Sequence, residues 1–161
     1  MAGADTVIGG VNYAQYTLNG ATLQVETTLQ RLIGGVVVPL ASLNGTNGFR
    51  LDGVAAGDES GRSVSAAGDV NGDGYDDLVV GAYRANPNGT YAGASYVVFG
   101  HGTAFNPTLA LAGLDGTNGF RLDGAAAGDN SGYSVSAAGD VNGDGYDDLV
   151  VGAVGDRKSV V

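Results

Sequence analysis

No cysteine occurs among the 161 residues, which excludes a disulfide framework, a thiolate metal site and a cysteine nucleophile. Tryptophan is absent too, and methionine is confined to the first residue. The single histidine, His101, limits any imidazole-based catalysis to one site. Lys and Arg number 7 against 17 acids, for a formal charge of −10, so a nucleic-acid backbone is not an expected partner. No stretch approaches the roughly 20 apolar residues of a membrane span, and "MAGADTVIGG" lacks the basic head and apolar run of a signal peptide. Helix signals are sparse. The nearest candidate, Ala21–Leu32, contains Thr22, Thr27 and Thr28 between flanking glycines and reads as strand and turn.

Glycine, by contrast, is abundant, with 30 copies, and it punctuates a repeat. Residues 43–82 align without gaps onto residues 114–153, an offset of 71. Only Asn44/Asp115, Val54/Ala125, Glu59/Asn130 and Arg62/Tyr133 differ across the forty positions. Within one unit, short strands are expected at Arg62–Ala67, Asp77–Ala82, Gly93–Phe99 and Gly119–Asp123, each bounded by glycine, asparagine or aspartate. Four strands per unit predict an all-β propeller blade. On that register the chain holds a last strand (Gly48–Asp52), one whole blade and the first two strands of another. The fold expected is therefore a partial β-propeller of about one and a half four-stranded blades.

Residues 1–42 match no copy and read as an irregular, strand-rich lead-in to the repeat region at 43–155. The ending "DRKSVV" (Asp156–Val161) breaks a repeat whose first copy continued "YRANPNG". It can be encoded by the opening of a common sequencing adapter and reads as a non-native tail.

The string "DVNGDGYDD" stands at Asp69–Asp77 and, unchanged, at Asp140–Asp148. Side-chain oxygens recur at Asp69, Asn71, Asp73 and Asp77, and Tyr75 can offer its carbonyl. The second copy supplies Asp140, Asn142, Asp144, Tyr146 and Asp148. Calcium takes about 6–8 oxygen ligands, and alternate residues of a curled loop can converge on one point. Gly72 and Gly74 permit such a curl. Eight of the 17 acids lie in these two strings, so two bound calcium ions would explain a good part of the charge imbalance. Asp-Asn-Gly clusters also make tight turns, but a turn needs two such residues rather than an alternating set repeated verbatim. An EF-hand is excluded because position 12 is Val80 or Val151, where a bidentate Glu is required. At position 8, Asp76 and Asp147 are expected to point into solvent, leaving two independent loops in different blades.

"DVNGDGYDDLVVGA" followed by "GASYVVFG" resembles the FG-GAP repeat of the integrin α-subunit β-propeller and its bacterial relatives. "DLVVGA" corresponds to the GAP part, with Tyr83 where proline usually stands. "SGRS" and "SGYS" fill the FG part, with Ser60 and Ser131 in place of phenylalanine. The resemblance covers about Leu43 to Ala153. It implies a seven-bladed propeller with calcium in the hairpin between the first two strands of a blade, and the chain reads as a bacterial fragment lacking the remaining blades of its parent.

Rival chemistries have weaker support. "GRSVS" and "GYSVS" miss the last glycine of a nucleophile elbow. The carboxylates available to a glycosidase are already in the two loops, and no G-x-x-x-x-G-K phosphate loop occurs. Asn44-Gly45-Thr46 and Asn88-Gly89-Thr90 fit a glycosylation sequon, though Asn-Gly turns account for both. The expectation is a non-catalytic, calcium-binding segment of an exported or cell-surface protein, meeting a protein or glycan ligand in adhesion. The alternative is the accessory propeller of a secreted enzyme.

Overall fold

The computed structural model describes residues 6–8, 11–18, 21–26 and 39–155; the expected tail at Asp156–Val161 lies outside them. Two compact units are present, Met1–Ser42 and Leu43–Val161. In the first, β1 (Thr6–Ile8), β2 (Val11–Leu18) and β3 (Ala21–Glu26) form an antiparallel meander. The Thr-containing segment from Ala21 thus begins as a strand, and its continuation to Leu32 lies outside the described residues.

In the second unit, β4 (Arg50–Asp52) precedes a four-stranded antiparallel sheet of β5 (Ser63–Gly68), β6 (Asp77–Ala82), β7 (Ala94–Val98) and β9 (Gly119–Asp123). These are the four strands expected of one blade, within a residue at each end. β10 (Ser131–Gly139) and β11 (Asp148–Ala153) form the opening hairpin of the next blade. The chain is accordingly an all-β, partial β-propeller. β8 (Thr108–Ala110), which the repeat pattern does not reveal, pairs in parallel with β4. A 3₁₀ turn at Leu111–Gly113 then leads back toward β9.

Both faces of the sheet are covered, which explains why "DLVVGA" is continuously apolar rather than alternating. On one face Val80, Ala82, Ala94, Tyr96 and Val98 pack with Leu51, Leu109 and Leu111 of the β4–β8 layer. On the other, Ala67, Val79 and Val97 pack against Val135 and Leu149 of the next hairpin. The period of two is visible in register: Val79 faces Val97, and Val80 faces Tyr96. The hairpins approach closely. Ser63 Oγ donates to the Gly132 carbonyl at 2.8 Å, and Gly93 bridges Ser131 in parallel. A Cβ at Gly81 would collide with the Gly132 carbonyl, so the glycine of "VVGA" is a packing requirement.

Hairpins β5–β6 and β10–β11 share one irregularity. The register slips between Ala66 and Gly68, and again between Ala137 and Gly139, 71 residues later. Such a bulge bends the strand locally and aims the chain into the loop that follows.

Among the described residues β11 pairs only with β10, so its outer edge presents unpaired N–H and C=O groups beside Val150, which is 41% exposed. An edge of this kind is a template for strand addition. The protein should therefore self-associate as its concentration rises, and Val150→Lys should suppress this. Sedimentation velocity reads both. Identical association of the variant and the parent would place the contact elsewhere.

Candidate functional site

Each nonamer forms the loop between the first two strands of its hairpin: Asp69–Asp77 between β5 and β6, and Asp140–Asp148 between β10 and β11. The curl is held by the loop's own carboxylates. Asp69 Oδ1 accepts the N–H of Gly72 at 2.8 Å and of Asp73 at 3.0 Å, while its Oδ2 accepts that of Gly74 at 2.8 Å. Asn71 Oδ1 accepts Asp73 N–H at 2.9 Å, Asn71 Nδ2 donates to Asp73 Oδ2, and Asp73 Oδ1 accepts Tyr75 N–H. Gly72 and Gly74 take φ of 76° and 88°, in the left-handed region that the tight curl requires.

The second loop repeats this arrangement. Asp140 Oδ1 accepts the N–H groups of Gly143 and Asp144, Oδ2 that of Gly145, Asn142 Oδ1 that of Asp144, and Asp144 Oδ1 that of Tyr146. The Gly145 N–H, helped by those of Gly143, Asp144 and Asn142, holds the Asp140 carboxyl below the usual carboxylate range.

The ninth residue differs between copies. Asp77 is fully buried; its Oδ2 accepts Val70 N–H at 2.9 Å and its Oδ1 accepts Gly100 N–H at 2.8 Å. Burial pushes the Asp77 carboxyl up, opposed by those two N–H groups and reinforced by the charges of Asp73 and Asp69. Asp148, half-buried, accepts Val141 N–H at 2.9 Å and no second N–H among the described residues.

The geometry thus gathers positions 1, 3 and 5 of each loop and anchors position 9 at the start of the second strand. Tyr75 and Tyr146 are about half exposed, and each enters this network through its N–H. Among the described residues no three acidic or imidazole side chains stand close enough together to hold a metal. Their oxygens cap loop N–H groups instead. A carboxylate offers about four lone-pair sites, so such caps leave acceptor capacity. The donor set is all oxygen, which suits a hard cation. Among the described residues no base competes for it: the ion pairs there join Arg50 to Asp52, Arg84 to Glu59 and Arg121 to Asp123.

One expectation is corrected. Asp76 is exposed, but Asp147 does not point freely into solvent. Its Oδ2 accepts Asp69 N–H at 2.8 Å and its own N–H donates to the Asp69 carbonyl at 3.1 Å. The loops belong to different blades and still touch, because the second hairpin lies over the face of the first sheet. His101, in its exposed turn, stacks 4.1 Å from Phe105 with Nδ1 2.9 Å from Thr103 Oγ1, and Ser63 Oγ bonds the Gly132 carbonyl. Neither belongs to a serine–imidazole pair.

The FG-GAP repeat model matches residues 60–98 and 131–157, the segments that carry β5 to β7 and β10 to β11. Integrin alpha pat-2 of Caenorhabditis elegans is 33% identical over 163 residues, covering 94% of this chain and 12% of the relative. Integrin alpha-V of Gallus gallus is 31% identical over 140 residues, covering 86% and 12%. Integrin alpha-PS2 of Drosophila melanogaster is 35% identical over 127 residues, covering 76% and 8%. The chain spans about an eighth or less of the length of these curated relatives. They are animal proteins, and the bacterial source read from the sequence is not borne out. The chain thus carries two FG-GAP repeat matches and is similar to the integrin α subunits.

Proposed function

We propose that this is a calcium-binding propeller segment of an extracellular or cell-surface protein, serving adhesion or ligand binding without catalysis. The observation that carries the reading is the repetition of one oxygen-donor arrangement in two hairpin loops, with no Lys or Arg among the described residues paired to a loop carboxylate. The ligands would be the side chains of Asp69, Asn71, Asp73 and Asp77 with the Tyr75 carbonyl. In the second loop they would be Asp140, Asn142, Asp144 and Asp148 with the Tyr146 carbonyl. When bound, calcium supplies the positive charge that relieves repulsion among each loop's carboxylates and fixes the hairpin end. Kinship with integrin α subunits favours the adhesion role over an accessory propeller on a secreted enzyme.

Calorimetric titration should find two calcium ions, with affinity in the weak range of extracellular modules, about 10⁻⁴–10⁻³ M. Asp73→Ala should reduce the stoichiometry to one. Asp76→Ala should leave it at two, since that side chain is exposed and no loop N–H donates to it. Absence of binding heat at about 30 mM calcium, well above that affinity range, would exclude the reading.

A further inference from the structure

The eighth residue of the nonamer is no ligand in the reading above, yet in the second copy it makes the hydrogen bonds that join the loops. Asp147 brackets Asp69 from both sides: its Oδ2 accepts the Asp69 N–H at 2.8 Å and its N–H donates to the Asp69 carbonyl at 3.1 Å. Asp69 is the first ligand position of its loop, and its carboxylate caps Gly72, Asp73 and Gly74. Asp147 itself stands between Tyr146 and Asp148, two ligand positions of the other loop. The seat is shaped for this contact. A Cβ at Gly68 would collide with the Asp147 carboxylate, and one at Gly72 would meet the Tyr146 ring. Asp76, in the same place in the first loop, is exposed and receives no hydrogen bond from the described residues.

We propose that Asp147 is a positioning residue that couples the two loops, so that order imposed on one is transmitted to the other. The chemistry follows from the bracket. Fixing the Asp69 carboxylate fixes the peptide groups on either side of it, which are the groups that Asp147 grips. Holding Asp147 in turn restrains the adjoining Tyr146 and Asp148. Two calcium ions, on the reading proposed above, would therefore bind with positive cooperativity, and the coupling is reciprocal by linkage. Asp147 thus serves between blades rather than within its own loop.

The test uses the full chain and a cycle of variants, Asp73→Ala, Asp147→Ala and both together. Calcium is the probe, read by calorimetry. With Asp147 present, disabling the first loop should weaken calcium binding at the second about fivefold, at the lower end of common coupling strengths. With Asp147→Ala the same substitution should change it by less than about twofold. Asp147→Asn keeps a side-chain oxygen acceptor for Asp69 N–H while losing the charge, so it should retain the coupling. Asp76→Ala removes an equal charge from the other loop and should also retain it. If Asp147→Asn behaves like Asp147→Ala, electrostatics rather than the bracket is responsible and the proposal fails. Amide hydrogen exchange in chelator supplies a readout independent of metal. Asp147→Ala should speed exchange at Asp69, Gly72 and Gly74, and Asp76→Ala should not. Unchanged exchange overturns the coupling. Faster exchange without any calcium heat would instead uphold the coupling and refute the calcium reading.

Discussion

Asp77→Ala should lower the stability of the chelated protein by about 2–3 kcal/mol, and Asp148→Ala by about 1 kcal/mol or less. The letters around these two residues are the same; their surroundings are not. Asp77 is fully buried and its two oxygens accept the N–H groups of Val70 and Gly100. Removing the carboxylate strands both donors, each worth about 1–3 kcal/mol when left without a partner away from water. Part of that loss is returned, because burial already disfavours the charged carboxyl and drives it upward from its ordinary value. The Gly100 bond also ties the first hairpin to the turn after β7, so its loss loosens a contact 23 residues distant in the chain. Asp148 is half-buried and, among the described residues, bonds only the N–H of exposed Val141, which water can reach when the carboxylate is gone. Urea unfolding of both variants against the parent gives the comparison. Equal losses would show that burial does not separate the two copies.

The contrast between Asp77 and Asp148 also marks the limit of what the letters convey. The repeat exposed the blade, because three of its four strands, all but β7, recur with their punctuation at an offset of 71, and each of the four lies within a residue of its expected bounds. The curl of each loop was legible in the same way, from glycines where φ is positive, but the capping of loop N–H groups by Asp69 and Asp140 was not. β8 was not legible. Three residues, Thr108–Ala110, carry too little pattern to suggest a strand, and its parallel partner β4 lies more than fifty residues earlier. The Asp147 contact was beyond sequence reasoning for a different reason. Asp76 and Asp147 occupy the same place in identical strings, and only the position of the second hairpin over the first sheet distinguishes them. A repeat tells what each unit can do alone; which unit has a neighbour on which face is a tertiary fact.

Calcium should raise the thermal midpoint of the protein by about 10–20 °C when about 10 mM is added after chelation. An ion that binds the folded loops and not the unfolded chain stabilises by RT ln(1 + [L]/Kd). At affinities of about 10⁻⁴–10⁻³ M this amounts to about 1.4–2.7 kcal/mol per loop, or about 3–5 kcal/mol for two. For a folded unit of this size each kcal/mol moves the midpoint by about 4 °C. Part of any salt effect is unspecific, because a chain of formal charge −10 repels itself and every cation screens it. Sodium chloride at matched ionic strength therefore sets the baseline, and only the excess over it counts as binding. Magnesium should add little to that baseline, since it demands a near-ideal octahedron and gives up its water reluctantly. Asp73→Ala should lose at least half of the calcium increment, because one loop is disabled and the other loses whatever order reached it through Asp147. A calcium increment no larger than that of matched sodium chloride would show that the carboxylates of these loops serve only to cap their own backbone.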